Sequence, residues 1–151
     1  MNFLSPEGLF PGNPAVVLAV LASGLFFLSA LFTGVWKYRC MAASEEHLAP
    51  HYVDIAHRAG LMYAFAAMLL AVFAALSAWP MVVNVIATLA PLLFFGFAIF
   101  LYIQLGRANV TDNQFRNNPE PEKMARVMNL LIIAEMGGFL ILFTGVLAQL
   151  V

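Results

Sequence analysis

Between positions 47 and 58 the chain gathers five side chains able to carry charge, move a proton or ligate a metal: His47, His51, Asp54, His57 and Arg58. Spacings of three and four place His51, Asp54 and Arg58 on one stripe of a helix. Imidazole suits zinc, iron or a haem iron, so three histidines and an aspartate have the donors of a metal centre. Their spacing matches no metal motif, and Pro50 separates His47 from the helix. A polar rim at a helix end explains the same residues. His57 lies deepest and is the candidate ligand or catalytic histidine.

A second candidate is Glu135, which stands alone among apolar residues with Gly137 and Gly138 just after it. A charge at the bilayer centre costs about 2.5–3.5 kcal/mol on insertion scales, so such a residue needs a reason. It is either an acid that binds a ligand or moves a proton, or a hydrogen-bonded tie within the bundle or an oligomer. Arg58 enters from the same face, so an Arg58–Glu135 pair is expected, direct or through Tyr63 or Tyr102. Those tyrosines and Gln104 are the other polar side chains toward that face, where interfacial aromatics are also common. Ser23, Ser29, Thr33, Asn84 and Thr88 are expected at helix contacts, with Gly24 and Gly34 allowing close approach.

The elements that must position these residues follow from composition. Of 151 residues, 63% are hydrophobic and 10% charged, against about 25% charged in a soluble domain. Four apolar runs, about 14–36, 51–79, 82–105 and 124–150, are each long enough to cross roughly 30 Å of hydrocarbon. In lipid such spans must be helices, because unpaired backbone groups find no water. The expected fold is therefore all-α, a single transmembrane domain over 1–151 built as a four-helix bundle, with the third helix kinked at Pro91. The formal net charge of −1 argues against nucleic acid as a partner. One cysteine, Cys40, allows no intrachain disulfide. Glu7 without Lys or Arg ahead of the first span does not read as a cleaved signal peptide.

All seven basic residues fall in or beside two polar segments. Lys37, Arg39 and Arg58 flank 37–50; Arg107, Arg116, Lys123 and Arg126 flank 106–123. By the positive-inside rule both segments face the cytoplasm, leaving both termini outside, as in a bacterial inner membrane. The glycosylation triplet Asn109-Val110-Thr111 then faces the wrong compartment.

Two families share local features with the chain. Thr33-Gly34-Val35 followed by Lys37 and Arg39, with Ala56-His57-Arg58 opening span two, resembles the MAPEG family of membrane glutathione transferases. Ala59 and Met62 stand where that family has an Asn and a Glu. Ala56-His57, Tyr102 late in span three and Asn113-Gln114-Phe115 resemble styrene oxide isomerase and hydroxylaminobenzene mutase. There the resemblance implies His57 as ligand of haem b and Tyr102 as a group polarising the substrate, while Tyr63 replaces an expected Asn. Both resemblances imply homotrimers.

The expected activity is that of a small membrane enzyme acting on a lipophilic, epoxide-like molecule near the cytoplasmic leaflet. His57, Arg58, Tyr63, Tyr102 and Glu135 would line its pocket, with haem b as cofactor. A glutathione-dependent transferase is the first alternative. A non-catalytic subunit of a larger membrane complex is the second, and a four-span transporter has little room for alternating access.

Overall fold

Asn13 and Pro14 start the first helix: the Asn13 side chain accepts from the backbone N–H of Ala15 (3.2 Å) and Val16 (3.4 Å), and Pro14 sits in the first turn. The computed structural model describes residues 12–116 and 118–150. Helix α1 covers Pro14–Ala43, α2 His51–Leu76, α3 Met81–Ala108 and α4 Pro121–Leu150. All four are long and apolar enough to cross a membrane, and the chain is an integral membrane protein.

Helix ends differ from the apolar runs for local reasons. The first helix continues through Lys37–Ala43, so half of the first polar segment is helical. Met41, Ala42 and Ala43 are good helix formers and no Gly or Pro interrupts them. It ends where the Ser44 N–H bonds back to the Cys40 carbonyl at 3.1 Å. The second helix stops at Leu76, before Trp79, since Pro80 disfavours helical geometry in the residue preceding it. The third closes on Asn109 in the left-handed region (φ 46°), whose N–H reaches the Leu105 carbonyl at 2.9 Å.

The chain runs up and down, so all seven basic residues collect at one end of the bundle. Helix α3 packs against each of the others, α2 touches α4 lightly, and α1 and α4 do not meet.

Two seams hold the helices. Between α1 and α2, small residues bring backbones together: a Cβ on Gly60 would lie 3.0 Å from the Ala30 Cβ. Ala56, Ala64, Ala67, Ala71 and Ala74 continue that buried face. Gly24, expected at a contact, faces open space, because the α1 face carrying it points away from α2.

The other seam docks α4 onto the α2–α3 hairpin. Pro91 has no N–H for the Ala87 carbonyl, yet α3 runs unbroken through it. Gly138 of α4 lies directly against that freed carbonyl and the Pro91 ring. Further along, the Ala78 N–H donates to the Gly145 carbonyl (3.0 Å), and the Trp79 indole N–H donates to the Ile141 carbonyl (2.9 Å). The buried residues of α4 are Gly138, Leu142 and Gly145, all in its second half. Toward the basic end, α4 rests only loosely on the bundle.

Candidate functional site

Three helices converge on one polar cluster inside the spanning region. From α2 comes Tyr63, its ring stacked on Phe95 of α3 with centroids 4.4 Å apart and planes 12° from parallel. From α3 comes Tyr102, stacked on Tyr52 at 6.0 Å. Tyr63 and Tyr102 lie near one another, and Glu135 of α4 lies in the neighbourhood of both.

Glu135 stands at the midpoint of α4, and its Oε1 is buried without a hydrogen-bond partner among the described residues. A buried acceptor left unpaired costs about 1–3 kcal/mol, and within the single chain Oε1 ties no two helices together. The packing explains how it arises. Gly138 packs α4 against the Ala87 carbonyl and the Pro91 ring one turn away, which turns Glu135 toward the bundle.

The α1–α2 polar residues are arranged otherwise. His57 Nδ1 lies 2.9 Å from the Ala30 carbonyl oxygen. A ring nitrogen against a carbonyl must carry a proton, so Nε2 is the nitrogen left to other partners. The ring packs on Gly34, where a Cβ would come within 2.9 Å of Cε1. That contact is the close approach expected of Gly34.

Arg58 departs from expectation. Its guanidinium Nη2 bonds Asp54 Oδ2 at 2.7 Å on its own helix, while Lys37 Nζ of α1 takes Asp54 Oδ1 at 2.6 Å. The Arg58 side chain is 63% exposed at the basic rim and makes no pair with Glu135. The reason is distance along the helix: Asp54 sits one turn before Arg58 on the same stripe, whereas Glu135 lies in the middle of the span.

The three-histidine metal centre does not form either. Among the described residues no group of three or more His, Cys, Asp or Glu side chains could hold a metal ion. His47 adopts a left-handed backbone (φ 55°) and turns toward the Met41 carbonyl. His51 lies edge-on to Tyr52 at 5.5 Å, and His57 faces α1. The histidines therefore point to three different places, and a metal at His57 would have to take its other ligands from a prosthetic group.

One residue of the cluster's surroundings, Tyr52, escaped sequence reasoning, and Gln114 was noted only within the Asn113-Gln114-Phe115 triplet. Tyr52 is 5% exposed, and its hydroxyl accepts from the Gln114 backbone N–H at 2.7 Å. Gln114 Oε1 is also buried without a partner. The signal was present: Tyr52 and Tyr63 are eleven residues apart, three helical turns, so both belong to the face that meets α3. Tyr52 thereby ties the 109–119 loop to the tyrosine pair. Beneath that loop lies a cavity of about 730 Å³ bounded by His51, Leu105, Asn109, Asn113, Gln114 and Arg116.

Comparison of the chain with family models, with curated proteins and with solved structures finds no match.

Proposed function

We propose that this chain is a small integral membrane enzyme acting on a lipophilic electrophile, such as an epoxide, that reaches it from the bilayer. One observation carries the reading: two tyrosines and an acid whose Oε1 is buried without a partner among the described residues come from three helices to one region of the spanning bundle. Intramembrane ionisable groups without structural partners mark substrate or proton sites. Phenol O–H groups of Tyr102 and Tyr63 donate to the substrate oxygen as its C–O bond breaks, with the Glu135 carboxyl as the third polar group of the pocket. An isomerisation of this kind moves hydrogen within the substrate and needs no second reactant. The basic end faces the cytoplasm by the positive-inside rule, in a bacterial inner membrane. A homotrimer belongs to the proposal, supported by the open side of α4, where Asn129 is exposed within the span.

The His57 geometry favours a haem-dependent version. A backbone carbonyl on Nδ1–H orients an imidazole so that Nε2 is left to ligate, the arrangement metal-bound histidines use. In that version His57 would hold haem b, whose iron would supply Lewis acidity, while Ala30 and Gly34 fix the ring. None of the larger cavities among the described residues is lined by His57, and in that version the group would lie between subunits. In the glutathione alternative, Arg58 at the rim would bind the anionic cosubstrate, although Asp54 already engages its guanidinium.

The test is turnover of a lipophilic aryl epoxide to its carbonyl isomer by purified protein in detergent. Wild type is expected to convert it, Tyr102→Phe to lose about 10²–10³ in kcat, as for removal of one oxyanion donor, and His57→Ala to lose any Soret band. A colourless, inactive protein recovered only with other membrane proteins would instead establish a non-catalytic subunit, with Glu135 as a tie to its neighbours.

A further inference from the structure

On the side of the bundle away from Glu135, α1 and α3 diverge and leave a groove of about 650 Å³. Its walls are Leu25, Leu28, Phe32 and Trp36 of α1 and Ile103 of α3, and Arg107 stands at its basic end. We infer that this groove binds one acyl chain of an anionic membrane lipid, with Arg107 holding the headgroup phosphate.

Three observations carry the assignment independently of the catalytic reading. The first is length. Leu25 to Trp36 spans eleven residues, about 17 Å at 1.5 Å per residue. Half of a roughly 30 Å hydrocarbon core is about 15 Å, so the groove is as long as one leaflet's acyl chain. The second is charge. Lys37, Arg58, Arg116 and Lys123 each pair with a carboxylate, whereas Arg107, like Arg39 and Arg126 outside the groove, forms no ion pair among the described residues. It lies in the last turn of α3, where the helix carbonyls already favour a cation. A phosphate would find there a guanidinium not yet committed.

The third is the wall itself. Leu25 and Phe32 are exposed by 66% and 68%. Thr33 closes the groove's polar side inward by donating to the Ser29 and Ala30 carbonyls at 2.9 and 3.0 Å. What remains is an apolar trough with one cation at the depth of the headgroups, and Trp36 beside it at the interface. Charge at one end and apolar surface along the rest match an anionic amphiphile.

The position of Trp36 supplies the readout. Full-length protein is placed in bilayers of phosphatidylcholine containing mid-chain dibrominated phosphatidylglycerol or dibrominated phosphatidylcholine, and quenching of Trp36 is followed in a Trp79→Phe background. An approximately fivefold preference for the anionic lipid is expected, the ~1 kcal/mol that one basic side chain contributes at a membrane surface. Arg107→Gln should abolish the preference, and Arg39→Gln, outside the groove, should preserve it. Native mass spectrometry of the unsubstituted protein gives a second readout, with retained phosphatidylglycerol expected in wild type and lost in Arg107→Gln. Equal quenching by the two lipids, a preference that survives Arg107→Gln, or displacement of the lipid by millimolar inorganic phosphate would each overturn the assignment. None of these outcomes depends on turnover.

Discussion

The seam between α1 and α2 and the seam around α4 use polar residues in opposite ways. In the first, polar groups are answered: Ser23 Oγ donates to the Ala64 carbonyl at 2.8 Å, His57 to Ala30, and Lys37 to Asp54. In the second, beside the bonds from the Ala78 N–H and the Trp79 indole to α4 carbonyls, the side-chain oxygens of Asn84, Thr88, Gln114 and Glu135 are buried without partners among the described residues, and all belong to α3, α4 or the loop between them. Satisfied polar groups hold helices together in lipid, where association has little other driving force. Unsatisfied ones cost stability, so their presence at one seam separates what the protein is built from and what it works with.

Breaking the structural seam should produce the largest effect. A Cβ at Gly60 would meet the Cβ, Cα and N of Ala30 at 3.0–3.3 Å, and a backbone cannot swing aside as a side chain can. Gly60→Leu is expected to destabilise by about 3 kcal/mol, the upper range for overpacking, measured by denaturant unfolding in detergent. Gly24→Leu, which faces open space, should leave the midpoint unchanged. Next in size is Ser23→Ala, with an expected loss of about 1 kcal/mol for one buried hydrogen bond. Smaller again is Asp54→Asn. It removes two ion pairs at the rim, where the Asp54 side chain is 29% exposed, and should cost under ~1 kcal/mol and less still at high salt.

That gradient also explains what could be read from the chain. The four helices, their up-and-down order and the single basic end were legible because apolar length and the placement of Lys and Arg are one-dimensional signals. Glu135 and the two tyrosines were legible for a related reason, since each is conspicuous in an apolar run. Which partner each would take was not. Arg58 and Glu135 seemed the matching charges, but the choice depended on helix depth and on the nearer Asp54. Tyr52 and its bond to Gln114 were missed because a tyrosine beside a helix start is unremarkable until α2 and the loop are brought together. The extension of α1 to Ala43 was missed because polarity ends a membrane span without ending a helix.

The smallest structural effect is predicted at the residue given the largest functional role. Replacing Glu135 by Leu removes an unpartnered buried carboxyl and adds apolar surface against Tyr63 and Tyr102. The direct measurement pairs unfolding free energy with epoxide turnover for Glu135→Leu in one detergent. Stability within about 0.5 kcal/mol of wild type, or above it, together with lost turnover is the expected result. A loss of about 3–5 kcal/mol, the cost of breaking a buried pair, would show that Glu135 holds the fold and would contradict its assignment to chemistry.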